Sequence, residues 1–246
     1  MRIDANSLKS CRCAKPRVAV GPAISPSVGI KRRERAVNTE DIWRAADAER
    51  SGLVELLENL TASQWRHASL CPGWQVRDVV AHLAISAHAH VGRILVSLLR
   101  ARGSVDRMML DTATRHATKT DDRELLSELR STIGSRFTAV STTPTDRLMD
   151  LLVHGQDIAV PLGLQREMPT DAAQAALESV WNPRFPFYAA TRLAPYRVRA
   201  VDTDWDKGSG PIIEGPVSAL LLLATGRDSA ALPHLSGEGA ELLRNG

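Results

Sequence analysis

The segment Met149-Asp-Leu-Leu-Val-His-Gly-Gln-Asp157 constrains this chain more than any other. Its periodicity predicts a helix with Asp150, His154 and Asp157 at i, i+4 and i+7 on one face, beside an apolar stripe of Leu151, Leu152 and Ile158. One helical turn separates a carboxylate from an imidazole by about 6 Å along the axis, a spacing that can serve one metal ion. A second histidine, His82, lies in the helical pattern Val76-Arg-Asp-Val-Val-Ala-His-Leu83, three residues after Val79. If the two helices pack face to face, His82, Asp150 and His154 form a three-ligand site with a position left for substrate. Spacing alone leaves a second reading open, in which His154 is hydrogen-bonded in the core and Asp150 pairs with Arg147. Asp157 reads as a fourth ligand, as an acceptor that orients His154, or as a solvated or N–H-bonded carboxylate.

The surrounding pattern is helical. Aromatic residues make up 4% of the chain and hydrophobic residues 43%, so a core here is built mainly from Leu, Val, Ala and Ile. Thr39 is the expected N-cap of a first helix carrying Ile42, Ala46, Leu53 and Leu57. Cys71-Pro-Gly-Trp74 reads as a turn, followed by a long helix over 75–100 that Gly103 ends. A short helix over 106–117, a helix from Thr120 to about Ala139, and the Asp150 helix with Pro144 in its first turn complete a four-helix bundle. After Gly163 the pattern changes to a helix over 170–181, a strand over 196–205, a turn at Gly208-Ser-Gly210, a partner strand at Ile212-Ile213 and an apolar helix over 216–224. The expected fold class is α+β, mainly α: a four-helix bundle over 38–165, then a small α/β domain over 166–246.

Charge narrows the function classes. The net charge is +3, but residues 1–36 hold Arg2, Lys9, Arg12, Lys15, Arg17, Lys31, Arg32, Arg33 and Arg35 against Asp4 and Glu34. Residues 1–37 read as a disordered basic tail, and the remainder has no basic stripe for nucleic acid. No window is apolar enough to span a membrane, and residues 1–37 lack the apolar core of a secretory signal. Cys11, Cys13 and Cys71 do not make a disulfide framework, and a reducing, cytoplasmic setting is expected. Cys71 reads as a packed thiol, and Trp65 and Trp74 as covers for the end of the bundle. His88 and His90 read as flanking residues, and His116 and His234 as histidines without clustered partners. No Gly-x-Ser-x-Gly elbow is present, and Gly208-Ser-Gly210 lacks the context of a phosphate loop.

Several separated motifs, in order, resemble one family. Trp65 and Ser69-Leu-Cys-Pro-Gly-Trp-Gln-Val-Arg-Asp-Val-Val-Ala-His-Leu83 are similar to the N-terminal signature of the mycothiol-dependent maleylpyruvate isomerase family, and Leu152-Val-His-Gly-Gln-Asp-Ile158 to its second signature. Ala200-Val-Asp-Thr-Asp-Trp205, Gly208-Ser-Gly-Pro211, Gly215-Pro216 and Thr225-Gly-Arg227 resemble its C-terminal domain. The resemblance covers residues 38–246. It implies a DinB-like four-helix bundle and one divalent metal, usually zinc, at the positions of His82, Asp150 and His154. The family pattern has glutamate where this chain has Asp150, which is shorter by about one 1.5 Å bond. The resemblance also implies mycothiol as thiol cosubstrate, ionised at the metal and added to an electrophilic small molecule, in S-transfer or cis-trans isomerisation. It implies a C-terminal-domain arginine for the substrate's negative charge, matched here by Arg227; an arginine that caps the preceding helix is the competing reading. Two other functions stay open: a metal-binding protein without turnover, and a small-molecule-binding regulatory module.

Overall fold

A computed structural model describes residues 38–87, 105–139, 142–181 and 187–245. The basic tail, Cys11, Cys13, His88, His90 and the second half of the expected 75–100 helix lie outside the described residues.

The first helices are set by their caps. Helix α1 (Thr39–Glu58) starts one residue earlier than the sequence reading, because Asn38 rather than Thr39 accepts the Glu40 amide hydrogen. Thr61 and Gln64 form a capping box on the single turn α2 (Ala62–Trp65). The Cys71–Trp74 turn closes with a bond from the Trp74 N–H to the Cys71 carbonyl, and Gly73 takes a φ of 79°. Helix α3 (Val76–Ser86) follows directly and carries His82.

Helix α4 (Val105–Lys119) is longer than expected, and α5 (Asp122–Ser131) shorter. Asp121 caps α5, and Gly134, at a φ of 82°, lies in the turn beyond it, well before Ala139. Helix α6 (Pro144–Ala159) has the expected proline at its start and a Thr143–Asp146 capping box. It packs on α1 and α3, and α5 also contacts both α1 and α3. Leu53, Leu57, Val76, Val79, Val80, Leu125, Leu129, Leu148 and Leu152 fill the space between them, each almost fully buried. Each such side chain contributes about 1.5–3 kcal/mol by leaving water.

The rest packs onto α6 through α7 (Thr170–Trp181), which in turn packs on the apolar helix α9 (Val217–Ala224). Between them come the short α8 (Ala189–Arg192) and a three-stranded sheet in the order β2-β1-β3. The expected strand over 196–205 forms only in its first half. β1 (Arg197–Ala200) ends at a bend over 201–204, and the chain returns antiparallel as β2 (Asp206–Gly208). Asp202 causes the break: its carboxylate leaves the strand and accepts the Val217 N–H at the start of α9, 2.9 Å away. β3 (Ile212–Gly215) pairs parallel to β1, with Val198 opposite Ile213. Glycine is required at the end of β2, since a Cβ at Gly208 would lie 2.3 Å from the Tyr196 carbonyl oxygen. After α9, Gly226 turns the chain into α10 (Asp228–Ala231), a 3₁₀ turn over Leu232–His234, and α11 (Glu238–Asn245). The fold is mainly α with a small sheet, a helical bundle followed by a mixed α/β part. No helix among the described residues is long and apolar enough to cross a membrane.

Candidate metal centre

Helix α6 touches α1, α3 and α7, so its polar residues are enclosed on several sides. Packing against α3 brings His82 onto the Asp150–His154 face. His82 Nε2 lies 3.5 Å from Asp150 Oδ1, and His154 Nε2 lies 3.3 Å from the same oxygen. These three atoms all fall within 4.8 Å of one another. Both histidines are buried, and His82 Nε2 is without a hydrogen-bond partner. A buried imidazole nitrogen left unpaired beside a carboxylate and a second imidazole is the donor set of an open zinc site, so the residues fit a divalent ion.

The two sides of His154 do different work. Nε2 faces Asp150, while Nδ1 hydrogen-bonds Asp157 Oδ2 at 2.8 Å. Asp157 is therefore not on the ligand side; it is the acceptor that fixes the ring and its tautomer. It is fully buried. Arg227, at the entry to α10, grips it with both edges: Nε donates to Oδ1 at 3.0 Å and Nη2 to Oδ2 at 2.7 Å. The third guanidinium nitrogen donates to the Thr225 carbonyl, which closes the turn after α9. All three of Arg227's nitrogens are thus engaged.

The Cys71–Trp74 turn supplies the remaining wall. Cys71 is half-buried, and its thiol donates to Asp157 Oδ2 at 3.1 Å, while the Leu70 N–H bonds the Asp157 carbonyl. Trp74 stacks on His154 at 6.2 Å and 19°, and lies 5.4 Å from the His82 ring. The sequence reading placed Trp74 as a cover at the end of the bundle. It covers the candidate ligands themselves. The signal available was its presence in the turn leading into the His82 helix.

On the far side of Asp150, Arg147 Nη1 donates to Oδ2 at 3.1 Å. Arg147 also binds Ser86 at the end of α3, through Oγ at 2.8 Å and the carbonyl at 3.0 Å. Each carboxylate of the cluster is thus matched with one arginine, and His154 bridges the two carboxylates.

Electrostatics follow from these contacts. Burial alone would raise the Asp150 carboxyl, but the His82 and His154 imidazoles outweigh it and hold it well below the usual carboxylate range. Burial disfavours charge on His154, yet bonds to Asp150, Asp157 and Cys71 reverse that and raise it well above an ordinary histidine. Asp157 is likewise lowered against its own burial, by His154 and Arg227. Without an ion, the cluster favours a proton on His154.

The four residues singled out from the sequence, His82, Asp150, His154 and Arg227, meet in this one cluster. His116, read as isolated, pairs with Glu128 at 2.6 Å across α4 and α5, away from these residues.

Residues 46–147 match the sequence model of the mycothiol maleylpyruvate isomerase N-terminal domain. His82 lies inside the matched residues; Asp150 and His154 lie just beyond them. Two solved structures share the fold. A histidine-to-alanine variant of the mycothiol-dependent maleylpyruvate isomerase superimposes with a TM-score of 0.57 at 11% identity, covering 82% of this chain and 94% of that one. A second crystal structure, of the mycothiol-dependent maleylpyruvate isomerase, gives a TM-score of 0.52 at 12% identity with the same coverage. No curated protein matches the chain by sequence. Residues 46–147 of the chain are thus similar to the mycothiol maleylpyruvate isomerase N-terminal domain, and the chain shares the fold of the two solved structures.

Proposed function

We propose that this protein is a mycothiol-dependent divalent-metal enzyme that activates a thiol for addition to an electrophilic small molecule. The observation that carries the reading is the convergence of His82 Nε2, Asp150 Oδ1 and His154 Nε2, with the first left unpaired in a buried setting. His82, Asp150 and His154 would hold the ion, and zinc suits two imidazoles and one carboxylate oxygen. When bound, such an ion stabilises thiolate over thiol and so supplies a nucleophile near neutral pH.

The chain's own residues prepare that site. Asp157 keeps the His154 proton on Nδ1 and leaves Nε2 as the donor nitrogen. Arg227 neutralises and anchors Asp157, so its role in this reading is positioning. That differs from the substrate-anion role implied by resemblance, because a bidentate pair with a fully buried carboxylate leaves the guanidinium little charge to offer. Trp74 shields the two imidazoles from water, which strengthens every charge interaction inside. The helical part over 38–165 contributes the ligand residues, and the part over 166–246 contributes Arg227. A reducing, cytoplasmic setting suits the free Cys71 and a thiol cosubstrate.

Addition followed by bond rotation and elimination gives isomerisation; addition alone gives S-transfer. A metal-binding protein without turnover is the second reading, favoured by the Arg147 contact that occupies half of Asp150. Incubation with mycothiol and a panel of electrophiles separates the two. The proposal expects thiol-dependent electrophile loss that stops on chelation and returns with added zinc. A zinc-loaded protein inert toward every activated alkene, epoxide and alkyl halide in the panel would favour the second reading.

A further inference from the structure

The Asp150 carboxylate is divided between two jobs. Oδ1 faces the two imidazole nitrogens at 3.5 and 3.3 Å, while Oδ2 receives Arg147 Nη1 at 3.1 Å. Arg147 sits three residues earlier on α6, so helical geometry alone brings it to Asp150. Its other contacts make the pairing rigid. The same Nη1 donates to Ser86 Oγ, and Nη2 donates to the Ser86 carbonyl at the end of α3, one turn beyond His82. One guanidinium thus ties the carbonyl end of the His82 helix to the carboxylate of the Asp150 helix. Arg147 is only 8% exposed. Pulling Oδ2 away from it would leave a buried cation without its counter-charge, an expensive arrangement in a low-dielectric interior.

We propose that Arg147 sets the metal selectivity of this site by holding Asp150 to a single donor oxygen. The inference rests on the metal-enzyme reading above. With Oδ2 committed, the cluster offers two imidazole nitrogens and one oxygen. That donor set suits zinc, which accepts few, mixed nitrogen and oxygen ligands. It suits manganese, magnesium and calcium poorly, because they favour more oxygen donors and often a carboxylate bound through both oxygens. Arg147 also offsets the charge of Asp150, as Arg227 offsets that of Asp157. The cluster therefore brings little net negative charge to attract an ion held by charge alone. Nitrogen coordination must supply the affinity, and this favours zinc further. Arg147 touches neither substrate nor ion in this account; it acts through Asp150 and is a positioning residue.

The test is a pair of competitive titrations, with Zn²⁺ and with Mn²⁺, on the full chain and on Arg147→Gln. The readout is the ratio of the two dissociation constants, with circular dichroism and Tm as controls for folding. The full chain is expected to favour Zn²⁺ strongly. In Arg147→Gln the preference falls by about tenfold, the lower end of the range for residues that support metal ligands, because Oδ2 becomes available to Mn²⁺. Ser86→Ala removes one anchor of Arg147 without touching Asp150 and shifts the ratio the same way by a smaller factor. If Arg147→Gln does not fold, Ser86→Ala decides the matter. An unchanged ratio in a folded variant overturns the role of Arg147 and leaves the metal site standing. A full chain that binds neither ion overturns the metal-enzyme reading, and this inference falls with it.

Discussion

Asp157 is the residue on which the most contacts of the site converge. It accepts from His154, Arg227 and Cys71 while wholly excluded from solvent. Replacing it with asparagine keeps the shape and removes the charge. The His154 ring then loses its ionic acceptor and Arg227 its counter-charge. Asp157→Asn is expected to weaken zinc binding roughly 10–100-fold, measured by chelator competition. Its position three residues after His154 was readable on the helical face, and either role could be assigned from there. Arg227's role was not readable in the same way. Its partner lies 70 residues away in the sequence, and only the packing of α9 and α10 near the end of α6 brings the two together. Arg147 is the opposite case: an i,i+3 spacing from Asp150 makes the pair visible in sequence, while its second partner, Ser86, required the tertiary contact of α3 with α6.

At the scale of the element, α6 depends on a glycine beside its ligand histidine. A Cβ at Gly155 would lie 2.7 Å from Arg166 Nε and 3.3 Å from its Cδ. Arg166 cannot readily move, because its guanidinium is bound to the Glu49 carboxylate at 2.6 Å on α1 and its carbonyl accepts from Gln156. Gly155→Ala gains about 1 kcal/mol in helix propensity and loses about 1–3 kcal/mol to overpacking. The variant is expected to have a lower Tm than the parent, and the Gly155→Ala step is expected to cost less when it is made in an Arg166→Ala background than in the parent. The helices were legible wherever caps and periodicity agreed, as at Thr143-Pro144 and over 170–181. The strand over 196–205 was misread because alternation continues through Val201 while Asp202 is used to cap α9. A cap delivered from 15 residues upstream leaves no local pattern. The end of α5 was misread because Gly134 outweighed the apolar residues that follow it.

At the scale of the molecule, pH acts through two separate groups of charges. At the turn after α5, Asp47 accepts from the Gly134 amide and from Arg136 and Arg50, at 2.9, 2.7 and 2.8 Å. Burial is the largest single influence and raises its carboxyl, but these donors together outweigh it and hold the carboxyl below the ordinary value. Its contribution to stability is therefore fully present above the unfolded value, near pH 4, and is lost as pH falls through the folded one. The Tm difference between the parent and Asp47→Asn is expected to be largest near neutral pH and to narrow below about pH 4. At the metal centre the sign differs. His154 is raised above an ordinary histidine, so zinc must displace a proton to reach Nε2. Zinc affinity is expected to rise between about pH 6 and pH 8 in chelator-buffered titrations, with protons released on binding.

If His82, Asp150 and His154 together hold one divalent ion, metal stoichiometry reads it out without reference to any substrate. Protein purified without a histidine tag, loaded with zinc and freed of excess ion, is measured by elemental mass spectrometry beside His82→Ala and His154→Ala. One zinc per chain is expected in the parent, and loss of that zinc in both folded variants. Stoichiometric zinc retained by both variants would contradict it.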